Sequence, residues 1–336
     1  MGTIAYCQPL VPPEWIAAHG VRPHWLRLDV PAGGERTGVS RFPTDRGACP
    51  AAAAIIDAVE RGLSAAAIVL TTTCDQARFA AAALSQRATL PVFLMHVPRT
   101  WETEAARSYY RDELRRFGRF LARISHVEPD EESLCRTMLR YDAARQELRC
   151  RRGAFSATAF ADAVASLRGD CPEAACAAGD ASDERDATSQ CVNLALLGGP
   201  LLFSDRPLLQ LIEKAGGRIV LDGSEGGERT LPAAIDAQRL RDDPLGELVR
   251  VYFDSIPDIF RRPNDALYEW LRRELPVRKV RGLIVRRHVW CDLWHAELPR
   301  LRQETSLPLL HLDMADGDRG LAVAVGRLEA FMEMLR

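Results

Sequence analysis

Residues 66–84 read Ala66-Ala67-Ile68-Val69-Leu70-Thr71-Thr72-Thr73-Cys74-Asp75-Gln76-Ala77-Arg78-Phe79-Ala80-Ala81-Ala82-Ala83-Leu84. The run from Ala66 to Thr72 is apolar and β-branched, the composition of a buried strand. After Cys74 the pattern changes: an acid stands where a first helical turn favours one, and the stretch from Asp75 to Leu84 is rich in alanine. A buried strand that turns a short polar corner into a helix is the repeating unit of a parallel α/β sheet. Working outward, further strand-length runs occur at Pro23 to Leu28 and Pro91 to His96. A second set follows at Asn193 to Leu197, Arg218 to Leu221, Gly282 to Val285 and Leu307 to Leu312. Helical patterns such as Pro207 to Ala215 and Asn264 to Leu275 separate them.

Between the two sets lies a charged helical region from Trp101 to about Leu148, then a stretch from Asp170 to Gln190 rich in Ala, Asp, Ser and Gly. So polar a stretch has little to bury and suits a linker. The reading predicts an α/β protein of two doubly wound, Rossmann-like domains with a helical insertion. Residues 1–150 form the N-terminal α/β domain with its helical segment, 151–190 the linker, and 191–336 the C-terminal α/β domain.

With 336 residues, 47% of them hydrophobic, the chain can bury a large core. A formal net charge of −2, with Lys and Arg scattered among Asp and Glu, gives no footprint for nucleic acid. No run approaches the roughly 18 apolar residues of a membrane span, and Met1 to Pro9 lacks the pattern of a signal peptide, so a cytoplasmic protein is expected. The nine cysteines are odd in number and widely spaced, which points to reduced thiols rather than a disulfide framework.

Three cysteines occupy similar corners. Cys49 precedes Pro50 and the helical stretch Ala51 to Leu63, so it falls at an N-cap with proline at the first helical position. Cys74 ends a strand and opens a helix. Cys291 follows the run that starts at Gly282 and precedes Asp292 and a helical stretch to Arg302, interrupted at Pro299. In an open parallel sheet such corners lie at the carboxyl ends of strands, where ligands bind. Helix N-termini there lower thiol pKa and favour a negatively charged metal centre. The separations, 74 − 49 = 25 and 291 − 74 = 217, match no compact ligand motif, and position alone is equally consistent with three buried apolar thiols.

Other residues admit two readings. His288, Cys291 and His295 have the elements of a zinc site but lack its remaining ligands. Glu14 and His19 are candidate proton donors, although an acid near a helix start more often serves the helix dipole. Gly223 to Gly227 has the flexibility of a phosphate cradle, against which Glu225 and Glu228 argue by charge. Cys135 sits in a helical pattern, and Cys150, Cys171, Cys176 and Cys191 lie in or beside the linker. Cys7 follows a short apolar stretch from which it could approach a shared site.

The segments Arg41-Phe42-Pro43-Thr44-Asp45-Arg46-Gly47-Ala48-Cys49-Pro50, Thr71-Thr72-Thr73-Cys74-Asp75 and Arg287-His288-Val289-Trp290-Cys291-Asp292 resemble the three cysteine motifs of the 2-hydroxyacyl-CoA dehydratase and benzoyl-CoA reductase family. Pro13-Glu14-Trp15-Ile16, Val97-Pro98-Arg99 and Leu197-Gly198-Gly199-Pro200 extend the likeness along nearly the whole chain. The resemblance implies a [4Fe-4S] cluster on Cys49, Cys74 and Cys291, with one iron left for a non-cysteine ligand or for substrate. It implies one-electron reduction of an acyl-CoA thioester to a ketyl-type radical, followed by dehydration, or ring reduction in the benzoyl-CoA branch. A non-catalytic, cluster-carrying electron-transfer partner is the alternative role. The partners implied are an acyl-CoA substrate, a homologous subunit or a second copy, and an ATP-dependent activator protein. The chain itself has no Gly-x-x-x-x-Gly-Lys-Ser/Thr loop for ATP. Leu221 to Arg229 resembles a family segment that often carries a cysteine, and Ile256 to Pro263 one where some members carry them, yet neither contains one here.

Overall fold

Two all-parallel sheets carry the chain. The first holds β1 (Thr3–Tyr6), β2 (Arg22–Trp25), β3 (Ala67–Thr71) and β4 (Val92–Met95), with α1 (Pro13–Ala18), α2 (Pro50–Glu60) and α3 (Asp75–Arg87) between them. There follow α4 (Glu104–Ser125), α5 (Glu131–Cys150), α6 (Ala157–Leu167) and α7 (Ala174–Ala177). The second sheet holds β5 (Val192–Gly198), β6 (Gly217–Gly223), β7 (Gly282–His288) and β8 (Leu309–Met314). The helices in this half of the chain are α8 (Arg206–Lys214), α9 (Ala237–Asp242), α10 (Pro244–Val249), α11 (Asp265–Val277), α12 (Asp292–Thr305) and α13 (Asp318–Leu335). This computed structural model describes residues 2–28, 47–87, 89–177, 191–314 and 318–336. Residues 41–46 of the first cysteine motif and 178–190 of the expected linker lie outside the described residues.

The strand orders are β2-β1-β3-β4 and β6-β5-β7-β8. Each is the doubly wound pattern: the chain leaves the first strand to one side, then crosses back to add the rest on the other. Ile4 pairs with Ala67 across the first reversal, and Leu194 with Gly282 across the second. At such a reversal the loops leave in opposite directions and open a crevice beyond the carboxyl ends of the strands. Every residue of β3 is buried, as its uninterrupted apolar run requires when helices cover both faces. At the end of β5, a Cβ on Gly198 would lie 2.0 Å from the carbonyl oxygen of Arg286. Only glycine permits that approach of β5 to β7.

Several elements were not readable from periodicity. The run expected to break at Pro299 is one continuous helix, α12, with the proline inside it. Pro299 removes one backbone hydrogen bond, but Trp294, Leu298 and Leu301 are buried on the same helix and their packing outweighs that loss. The strand β1 was visible only as a short apolar stretch. Within the segment expected to link the domains, α6 packs with α5 and α7 around Phe160, Val164 and Cys176.

Leu240, Leu248, Val249, Tyr252, Phe253 and Phe260, from the second half of the sequence, pack into the core of the first sheet against Tyr110 and Leu114. We therefore propose that 1–150 and 191–336 act as two units in which α9 and α10 cross back to brace the first. Glu14 and Arg145, both fully buried, form an ion pair, and the Tyr252 hydroxyl donates to the same carboxylate at 2.6 Å. The trio ties α1 and α5 to the π-helical segment Arg250–Asp254 that follows α10. No helix among the described residues is long and apolar enough to cross a membrane.

Candidate functional site

Cys49, Cys74 and Cys291 line one cavity of about 330 Å³. A water molecule's share of liquid volume is roughly 30 Å³, so this space is on the order of ten waters. It sits at the carboxyl ends of the strands flanking both reversals. Cys7 and Gln8 follow β1, Thr72 to Cys74 follow β3, Gly199 and Pro200 follow β5, and Trp290 and Cys291 follow β7. The double winding of each half thus aims one crevice at the other.

Each corner is held by its own backbone chemistry. Cys49 is the N-cap of α2, and its sulfur accepts the Ala52 N–H at 3.4 Å. The Cys49 N–H donates to Gln76 Oε1 at 2.9 Å, and Gln76 Nε2 donates to the Gly47 carbonyl at 3.1 Å. Gln76, two residues beyond Cys74, therefore straps the first corner to the second. No motif signalled it. At the second corner, Thr72 Oγ1 accepts the Val97 N–H at 2.9 Å and ties the strand end to β4. At the third, the Cys291 N–H closes a turn onto the His288 carbonyl at 3.1 Å, with Trp290 in the left-handed region at φ 66°. That conformation is uncommon for a bulky residue, and it leaves the Trp290 ring 48% exposed beside Cys291.

The helix N-termini do not decide the thiol pKa values. Burial pushes Cys49 up to about 12 against the Ala52 N–H, with the nearby Cys74 and Cys291 sulfurs adding to the rise. Burial likewise raises Cys74 and pushes Cys291 up to about 11. The expectation of lowered thiol pKa is thus corrected: desolvation of a thiolate in this cavity outweighs the one or two N–H bonds at each sulfur. The three thiols are protonated at neutral pH in the unliganded chain, and a metal centre binding there must displace those protons.

Among the described residues, no three His, Cys, Asp or Glu side chains gather around one point as a single metal ion needs. The zinc reading of His288, Cys291 and His295 therefore has no geometry behind it. His288 is buried, its ring held against Arg286 and the Pro200 carbonyl, and burial keeps its pKa well below the usual range. A cluster is a different demand, since it spreads its thiolate ligands over separate iron atoms. Soft sulfur donors from three corners lining one cavity fit such a group.

The rest of the wall is mixed. Leu28, Ile55, Ile259, Phe260 and Leu293 are apolar, while Arg99, Arg229, Asp258 and Glu225 supply charge. Glu225 is part-exposed at the wall, yet enough protein surrounds it that burial pushes its carboxyl up to about 7, with Asp258 adding and Arg229 opposing. Gln8 Oε1 is buried without a hydrogen-bond partner among the described residues. Neither was singled out as a site residue by the sequence. Cys7, also at the wall, is 5% exposed.

Of the remaining candidates, the turn from Gly223 to Gly227 reaches the cavity through Glu225 alone, and the others fall elsewhere. Glu14 is locked into its ion pair, and His19 Nδ1 bonds the Trp15 carbonyl at 2.7 Å within the same helix end. Gly223 to Gly227 forms a turn around Asp222, whose carboxylate accepts the Ser224 N–H at 2.9 Å. The Cys135 sulfur meets the Leu240 carbonyl at 3.6 Å and the Cys176 sulfur the Ala144 carbonyl at 3.9 Å, while Cys150, Cys171 and Cys191 are exposed.

No curated protein matches the chain. One family model does, and it spans residues 9–335, from the end of β1 to the last turn of α13 and across all three cysteine corners. The chain belongs to the family 2-hydroxyglutaryl-CoA dehydratase, D-component.

Proposed function

We propose that the chain is the iron-sulfur subunit of a 2-hydroxyacyl-CoA dehydratase, with a [4Fe-4S] cluster held by Cys49, Cys74 and Cys291. The observation that carries this reading is the convergence of three thiols, 25 and 217 residues apart in sequence, on one cavity at both sheet reversals. Family membership supports the substrate class, a 2-hydroxyacyl-CoA thioester. When bound, the cluster supplies one-electron chemistry to that thioester.

The chain's own residues set the conditions. The apolar wall of Ile55, Ile259, Phe260 and Leu293 limits water around the reacting end of the acyl group. Low polarity there strengthens every charge interaction inside. Arg99 gives the cavity wall positive charge that offsets an anionic centre and a developing oxyanion, while Arg229 is paired with Asp258. At about 330 Å³ the space lies at the low end of small-molecule sites, roughly 300–1,000 Å³, so it suits the acyl end of the thioester rather than all of CoA.

The electron donor is a separate ATP-dependent activator, and a homologous subunit completes the enzyme, as the family membership and the absence of a phosphate-binding loop motivate. The test is anaerobic incubation of the chain and its partner subunit with activator, ATP and a panel of CoA esters. Dehydration of a 2-hydroxyacyl-CoA that depends on ATP is the expected result. Reduction of benzoyl-CoA instead would assign the ring-reducing chemistry. Full turnover by the isolated chain with a simple reductant and no ATP would contradict the proposal.

A further inference from the structure

Three cysteines leave one iron of a four-iron cluster without a protein sulfur, and the same cavity contains a carboxylate with nothing bonded to it. Glu225 follows β6 and lines the wall with Cys74 and Cys291. Its backbone is fixed: the N–H donates to the Gly199 carbonyl at 3.3 Å, and its own carbonyl accepts from the Thr230 hydroxyl at 3.0 Å and from Arg168 at 3.3 Å. Its carboxylate has no hydrogen-bond or ion-pair partner among the described residues. The nearest guanidinium groups are committed elsewhere. Arg229 donates to the Gly223 and Pro257 carbonyls and to Asp258, and Arg168 to the Glu225 carbonyl and the Thr230 hydroxyl.

A carboxylate without a protein partner is costly to the extent that it is shielded from water, and the backbone bonds hold this one on the cavity wall that the three thiols share. Its charge acts on both Cys74 and Cys291. We infer that Glu225 provides an oxygen ligand to the iron that Cys49, Cys74 and Cys291 leave without sulfur. Carboxylate oxygen is a competent though harder donor than thiolate, so the bond is displaceable and the iron can be opened to substrate. Cys7, a softer donor on the same wall, is the competing candidate. It packs among Ala5, Leu26 and Ile68, and the charge it feels is that of Glu225 rather than of the three corner thiols.

The inference rests on the cluster reading above, and the experiment separates the two. The full chain and its Glu225→Gln, Glu225→Ala and Cys7→Ser variants are reconstituted anaerobically with ⁵⁷Fe and sulfide. Iron and sulfide content, Mössbauer spectra and cyanide binding are measured, with circular dichroism confirming the fold of each. The wild type should hold a cluster with one iron distinct from the rest, in the range of an oxygen-ligated site. Both Glu225 variants should keep their iron content but shift that one component and bind cyanide about tenfold or more tightly, as loss of a competing ligand demands. Cys7→Ser should match the wild type. Spectra and cyanide binding unchanged in both Glu225 variants, or changed in Cys7→Ser instead, would overturn the assignment. A wild type without iron and sulfide would overturn the cluster reading and the assignment with it.

Discussion

Cys74→Ser, purified and reconstituted without oxygen, should lose most of its bound iron and its visible absorption. A hydroxyl is a far poorer ligand than a thiolate for iron of this kind. The Cys74 corner offers no substitute: Gln76 is committed to Cys49 and Gly47, and Asp75 is turned to solvent with its side chain 96% exposed. Cys49→Ser and Cys291→Ser should behave alike, because each corner supplies one thiol to the shared cavity. The controls are Cys135→Ser and Cys176→Ser, whose sulfurs contact carbonyls of α9 and α5 away from the cavity. These should retain iron and absorption. Corner variants with full iron beside a depleted Cys176→Ser would refute the ligand assignment.

The second large effect is on stability. Arg145→Met removes one partner of a buried ion pair and strands the Glu14 carboxylate, which has no exposure. Breaking such a pair costs roughly 3–5 kcal/mol. For a chain of this size that corresponds to a fall in Tm of about 4–7 °C. The Tyr252 hydroxyl, at 2.6 Å from the same carboxylate, offsets only part of the loss. Calorimetry on Arg145→Met should show the drop, while protein refolded below its Tm should still bind iron. Unchanged Tm with altered turnover would mean that Glu14 and Arg145 serve the reaction rather than the fold.

The sequence was most legible where one local rule acts alone. The run at Ala67–Thr71 is a strand because every residue in it is buried, and Cys49 caps a helix because Pro50 fixes the first turn. The three corners were visible for the same reason: each is a strand-to-helix change marked by its own composition. What escaped depends on tertiary contacts. Periodicity marks a helix as amphipathic without saying which sheet it covers, so the packing of Leu240 to Phe260 onto the first core gave no local sign. Pro299 reads as a break until the buried Trp294 and Leu301 are known. The thiol pKa values were misjudged because helix N-termini are visible in sequence and burial is not. Gln76 was overlooked, and Glu225 weighed only as a charge against a phosphate, because each meets the site through parts of the chain distant in sequence.

Whether Cys49, Cys74 and Cys291 together hold an iron-sulfur cluster is decided by the iron and acid-labile sulfide content of the anaerobically isolated wild-type chain. A brown protein with about four iron and about four sulfide per chain is expected, the stoichiometry of a [4Fe-4S] cluster. A colourless protein that acquires neither on reconstitution, or one that binds a single metal ion without sulfide, would contradict it.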